Sequence, residues 1–527
     1  GFANWMENNA TDKFNPDWQI WLRARAAKEH AMGTDARRNT HALQQAIADE
    51  SEVDNEFDEI SYDKGAAVIR MIETWLGPDK FRDGMRRYMA AHAYSNTTSA
   101  DLWAALGAAS GHDVAAVAGS FTEQPGVPLV HVSAHCAAGS TEVALSQERF
   151  TVHYADAPKL AWRIPVRVGL AGGPAQAVLV GADGATAKLQ GCGAVVANAG
   201  DVGYYRVAYD AHAMDAVTQA FATLPAADKA VVLGDQWALV VAGKTGPDAW
   251  LGLVHQLPPE SELAVWEPVI ERLSEIDMLM RDSPDRTAFR AFAGDLLRPV
   301  LGLLGWDAKP GEREEAALLR ADVIGAMGRF RDPAVVAEAG KRFAAFLADP
   351  QTLSPGSADA VLRTVAIGAD KPTYEKLRAL GRAASSSETK LRYYNALAAA
   401  QDPALVDETV EIGLTEEVPP GRINRLLIEN AHLTDHPERV WRDVVAHAGA
   451  ILPKLAGEDR EGLLAHVADA TGDPKIAAEL LARPESNADR GAKRQAEQAA
   501  ETIAIDAELK ARVVPAIGAW LHRVGNG

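Results

Sequence analysis

The sequence is poor in cysteine. It has two in 527 residues, Cys136 and Cys192, which excludes a disulfide-dense scaffold and a cysteine-rich zinc module. It has no apolar run approaching the ~18 uncharged residues that a membrane-spanning helix needs. It is short of positive charge: 53 Lys and Arg face 72 Asp and Glu, a formal net charge of −19. Nucleic acid and anionic membranes select basic surfaces, so neither is an expected partner. No P-loop, G-x-G-x-x-G, G-x-S-x-G or H-E-x-x-H occurs. The chain opens Gly1-Phe2-Ala3-Asn4-Trp5, with no Met, no basic n-region and no apolar leader.

What is present is ordinary for a folded protein: 47% hydrophobic and 24% charged residues. At ~150 residues per domain, the length predicts three or four domains. Residues 1–119 read as helical. Trp18 to His30 is a run of helix formers, and Ser61 to Leu76 carries Val68, Ile72, Trp75 and Leu76 on one stripe until Gly77-Pro78 stops it. Thr98-Ser99-Ala100-Asp101 has the form of a capping box.

The pattern changes at Phe121 to Pro128, where two prolines and a glycine forbid a helix. Short alternating runs follow: Val127 to Ser133, Glu142 to Ser146, Phe150 to Tyr154, Trp162 to Val168, Val178 to Val180 and Tyr204 to Tyr209. Strands at this spacing predict a small β-sandwich of about 85 residues, so that 120–211 is an all-β domain. From 212 to 527 the chain is Ala/Leu-rich. Helices are broken at Asp332-Pro333, Asp349-Pro350, Asp402-Pro403 and Gly472-Asp473-Pro474, which favours a helical solenoid over a bundle. The expected fold class is mainly α with one small all-β domain.

Metal chemistry finds little support in internal spacing. His131 and His135 lie in a strand, about 13 Å apart at about 3.3 Å per residue. His432 and His436 flank Asp435 in a loop-like stretch. Neither pair has the setting of a ligand pair. One segment is more specific: Asp58-Glu59-Ile60-Ser61-Tyr62-Asp63-Lys64-Gly65. On residues alone, Gly65 would permit close packing and Tyr62 would cap the apolar stripe.

Taken in order, however, several motifs resemble those of aminopeptidase N-like zinc metallopeptidases, the gluzincin aminopeptidases. Gly1-Phe2-Ala3 resembles the end of their N-E-G-F-A motif, and Tyr62-Asp63-Lys64-Gly65 their Y-x-K-G. Gln124 to Pro128 resembles their Q-P-G-x-P, Trp162 to Val166 their W-x-I-P-V, and Gly203 to Val207 their G-Y-Y-R-V. Asp235 to Leu239 and Trp266 to Ile270 are similar to their helical domain. The resemblance spans the whole chain.

It implies that 1–119 is the C-terminal half of a thermolysin-like catalytic domain, followed by the β-sandwich and the solenoid. It implies one zinc ion and hydrolysis of N-terminal residues from peptides by metal-activated water. The family's two histidine ligands and general base belong to H-E-x-x-H, and its glutamate ligand would fall one residue before Gly1. All of these, with the amine-anchoring G-A-M-E-N loop, are expected outside this chain, in a missing N-terminal half. Tyr62 is the family catalytic residue that is present. Its phenol would hydrogen-bond the oxyanion, a donation suited to a group that stays neutral at pH 7.

Glu59, in an acidic cluster with Glu56 and Asp58, is a candidate for holding the substrate's amino group; the alternative is a solvated helix cap. Arg206 is expected in a structural ion pair. Both cysteines fall in the β-domain, which predicts a Cys136–Cys192 disulfide and an exported, periplasmic parent; two reduced thiols in a cytoplasmic protein are the alternative. Two rival functions remain open: an inactive β-sandwich and helical-repeat protein that binds peptides or a partner, and a split enzyme whose zinc half is a separate chain.

Overall fold

The computed structural model describes residues 1–45 and 58–525. It divides into two compact units, Gly1–Pro268 and Val269–Gly527.

The first unit opens with seven helices: α1 (Phe2–Phe14), α2 (Ile20–Arg23), α3 (Arg25–Asp35), α4 (Gly65–Leu76), α5 (Pro78–Ala91), α6 (Ser99–Ser110) and α7 (Val114–Thr122). The stripe expected on α4 is its inner face: Val68, Ile72 and Leu76 are buried and Trp75 half-buried. Thr98 and Asp101 form the expected capping box on α6. Two expectations change. Trp18 ends a single 3-10 turn, and the helix-forming run divides at Ala24 into α2 and α3. The segment ahead of α4 is not α-helical: Ile60–Lys64 forms a five-residue π-turn.

Seven strands follow: β1 (Val127–Ala137), β2 (Ser140–Phe150), β3 (Ile164–Leu170), β4 (Ala175–Val180), β5 (Ala185–Gln190), β6 (Val195–Ala197) and β7 (Arg206–Tyr209). They form two sheets, ordered β5-β2-β1-β7 and β4-β3-β6. β1 and β2 are joined at Ala138-Gly139, both at positive φ, the turn that matches the twist of a tight hairpin. β7 pairs parallel to β1, with Leu129 opposite Arg206. Tyrosines tie the sheets together: the Tyr209 hydroxyl accepts from Ala197 N at 3.0 Å, and the Tyr205 hydroxyl from Arg167 N at 3.2 Å.

Phe150 to Tyr154 is not a separate strand. Phe150 closes β2; beyond it His153 turns at φ 50°, and Val152 N bonds Ala36 O at 2.9 Å instead of a ladder. β5 and β6 were not anticipated. β5 is Ala-Thr-Ala-Lys-Leu-Gln, weak in β-formers, and β6 is three residues long.

The remaining helices are α8 (Ala211–Ala220), α9 (Ala226–Val241), α10 (Asp248–His255), α11 (Leu263–Leu279), α12 (Arg286–Leu304), α13 (Glu314–Arg329), α14 (Pro333–Ala348), α15 (Pro355–Ile367) and a succession ending with Arg490–Gly525. The breaks read from the sequence are N-caps. Asp332, Asp402 and Asp473 each accept backbone N–H groups of the turn they open, with Pro in the first helical position. The core of the second unit includes Tyr374, Tyr394, Leu427, Trp441 and Leu463. Its last helix packs against α12, where Trp520 meets Phe292 edge-on at 5.0 Å between centroids.

Candidate active-site turn

The π-turn Ile60–Lys64 concentrates the residues singled out in the sequence. π-Turns are rare and occur frequently at functional sites. This one is held at both ends. At its start, Asp58 Oδ1 accepts from Ile60 N at 3.1 Å and Ser61 N at 3.0 Å, while Oδ2 lies 2.6 Å from His41 Nε2. Burial works against the Asp58 charge, but the His41 ring and the two N–H groups outweigh it and hold the carboxyl below the usual range. Asp58 therefore acts as the helix cap.

Glu59, next along, accepts the Thr34 hydroxyl at 2.6 Å and lies 3.7 Å from His30 Nε2. Glu56, the third member of the acidic cluster, lies outside the described residues. Tyr62 stands in the middle of the turn, its N–H bonded to Asp58 O at 3.1 Å and its side chain 38% exposed, so the ring reaches solvent.

At the far end, Lys64 turns inward. Its ammonium lies 2.8 Å from Asp35 Oδ2, with both side chains fully buried. Asp35 also accepts Gly126 N at 2.7 Å, the Tyr204 hydroxyl at 3.1 Å and the Thr40 hydroxyl. Burial, then the Asp35 charge, pushes the Tyr204 phenol well above its ordinary value, so it stays a donor. Lys64 thus ties the turn to α3, to the glycine that leads into β1, and to the approach to β7.

Gly65 has a packing reason. A Cβ there would stand 2.9 Å from Gly1 Cα, and a Cβ on Gly1 would stand 2.6 Å from Gly65 Cα. The two backbones touch, and α1 is fastened further along by Trp5 Nε1 donating to Glu73 at 3.0 Å. Glu59 immediately precedes the turn that carries Tyr62. Asp35 and Thr34 were not found from sequence; the only signal was a lysine that the helix stripe would bury, which requires a carboxylate somewhere.

The other candidates lie elsewhere. Cys136 and Cys192 form a disulfide across the end of the larger sheet, with Cα atoms 5.6 Å apart. Arg206 is buried between Glu29 and Asp235, whose Oδ1 it meets at 3.3 Å. His131 pairs with Glu148 at 3.3 Å, and His432 with Asp469 at 3.0 Å, while His436 opens the next helix. Among the described residues, no group of three or more His, Cys, Asp or Glu is arranged to hold a metal ion.

Residues 1–121 match the Peptidase family M1 domain, and residues 194–505 match the ERAP1-like C-terminal domain. The chain belongs to the M1 aminopeptidase family. Aminopeptidase M1 of Arabidopsis thaliana is 32% identical over 445 residues, covering 79% of this chain and 50% of that protein. Aminopeptidase M1-A of Oryza sativa subsp. japonica is 31% identical over 437 residues, covering 79% and 49%. Tricorn protease-interacting factor F2 of Thermoplasma acidophilum is 27% identical over 382 residues, covering 72% and 47%. The chain spans about half the length of these relatives. The Peptidase family M1 domain match includes the whole π-turn and Tyr62 to Gly65.

Proposed function

We propose that this chain is the C-terminal part of a zinc-dependent aminopeptidase that releases N-terminal residues from peptides, with Tyr62 as its catalytic contribution. The observation that carries the reading is the π-turn: it holds Tyr62, 38% exposed, on a backbone anchored by Asp58 and by the buried Lys64–Asp35 pair. The zinc ligands and general base would come from other residues of the whole protein, and no step through the metal is derived from this chain.

The Tyr62 hydroxyl would donate to the carbonyl oxygen of the scissile peptide as that oxygen gains charge. A rigid donor aimed at developing charge costs no reorganisation in the reaction. Glu59 would take the peptide's ammonium group, and the disulfide supports an exported, periplasmic protein.

In the whole enzyme, Tyr62→Phe should lower kcat by ~10²–10³ while bound zinc is unchanged. Turnover equal to wild type would remove Tyr62 from the mechanism. Peptide hydrolysis and stoichiometric zinc binding by residues 1–527 alone would overturn the partial-enzyme reading.

A further inference from the structure

A helical turn opens with backbone N–H groups that have no partner inside it. At the π-turn, Asp58 meets two of them, from Ile60 and Ser61, with the single oxygen Oδ1. Its backbone carbonyl accepts from Tyr62 N at 3.1 Å. The turn that carries Tyr62 therefore starts from this one aspartate. A carboxylate partly open to water can rotate and exchange such bonds for water. Its other oxygen resists that rotation: Oδ2 sits 2.6 Å from His41 Nε2, with the His41 side chain 23% and the Asp58 side chain 28% exposed.

His41 stands on a segment that is fastened on both sides. Just before it, the Thr40 hydroxyl donates to Asp35, the carboxylate that also holds Lys64. Just after it, Gln44 N donates to Thr122 O at 2.7 Å, which ties the segment to the end of α7. Between these points Leu43 packs on Gly65, its Cδ1 3.3 Å from where a Cβ on that glycine would stand. The same short stretch thus supports the start of the turn through His41 and the end of the motif through Leu43 and Asp35.

The imidazole ring is equipped for this role in either protonation state. Its Nδ1 lies 2.9 Å from Ala42 O and 3.3 Å from Gln45 Nε2. The charged ring donates from Nε2 to Asp58 and from Nδ1 to Ala42 O. The neutral ring keeps its proton on Nε2 and accepts at Nδ1 from the Gln45 amide. An N–H therefore faces Asp58 whether or not the ring is charged.

We propose that His41 is a positioning residue for Tyr62: by holding Asp58 in place, it fixes the backbone from which the phenol donates to the carbonyl oxygen of the substrate. It acts through Asp58 and the π-turn, and its contribution lies in aim. A donor misplaced by about 1 Å can cost on the order of 10²-fold in rate. The proposal rests on the reading of Tyr62 as the donor to that oxygen.

Two variants of the whole enzyme, His41→Gln and His41→Asn, test it. Glutamine puts an amide donor near the place of Nε2; asparagine, one bond shorter, puts it near Nδ1 and out of reach of Asp58. His41→Asn should lower kcat by about 10- to 100-fold with KM little changed, and His41→Gln should recover most of that loss. In a Tyr62→Phe background, His41→Asn should cost no more than about twofold in kcat, because no phenol is left to aim. Four results would each overturn the proposal and leave the role of Tyr62 standing. These are wild-type turnover in His41→Asn, equal losses in the two variants, an undiminished loss in the Tyr62→Phe background, and a His41→Asn protein that no longer melts cooperatively. Wild-type turnover in Tyr62→Phe itself would overturn the reading beneath it as well.

Discussion

At the residue scale, Lys64 is the member of the Tyr62 to Gly65 motif with the clearest structural task. A lysine wholly out of water is tolerable only with a partner, and Asp35 supplies it at 2.8 Å. Removing the lysine leaves a buried carboxylate with three neutral donors in place of a cation. Lys64→Met should therefore destabilise the first unit by about 3–5 kcal/mol, read by urea unfolding. A loss no larger than a surface substitution would show that Tyr204, Thr40 and Gly126 hold Asp35 unaided. The lysine was legible in the sequence as part of a motif. Its partner was not, because Asp35 belongs to another helix and no spacing rule connects them. Gly65 was read correctly as a close-packing residue, but what it packs against, the backbone of Gly1, is a fact of three dimensions.

At the scale of elements, periodicity found α4 and its buried stripe but not the π-turn ahead of it. Apolar spacing reports which face is inside; it does not register one extra residue in a helical turn. Strand prediction failed where the local signal was weakest, in alanine-rich β5 and three-residue β6. β7 was legible, and the structure shows what its arginine does. Arg206 is held between Glu29 and Asp235 while Asp235 Oδ2 accepts Val207 N at 3.1 Å, so one buried network joins α3, β7 and α9. Glu29 is pressed to about 2, its burial outweighed by Arg206, Arg25 and Lys28, whereas burial lifts Asp235 to about 7.

Arg206→Gln would leave two carboxylates facing each other, at a cost of about 3–5 kcal/mol near pH 8. Asp235 is already raised, so without Arg206 it rises further. Its neutral form then relieves the repulsion as pH falls, and the destabilisation should be smaller at pH 5 than at pH 8. Denaturation of wild type and variant at both pH values measures this; an equal or larger loss at the lower pH would place the cost in packing instead of charge.

At the scale of the molecule, composition conveyed a helical chain with one small β-domain, and the helix breaks were visible as Asp-Pro pairs because capping is local. The division into two units near Pro268 was not visible, since it falls inside the continuous helix α11. That division has a consequence for unfolding. Both cysteines lie in Gly1–Pro268, and Val269–Gly527 contains none. The disulfide closes a sequence separation of 56 residues, worth on the order of 4 kcal/mol in the chain-entropy account of the unfolded state. Two units with separate cores should melt as two calorimetric transitions instead of one. Reductant should then lower the transition of the first unit by several degrees and leave that of the second in place. If both transitions move together, the two cores unfold cooperatively and the boundary at Pro268 is a line of sparse contacts only. If neither moves, and alkylation of the native unreduced protein labels two thiols, the cysteines are reduced and the argument for an exported protein falls with the bond.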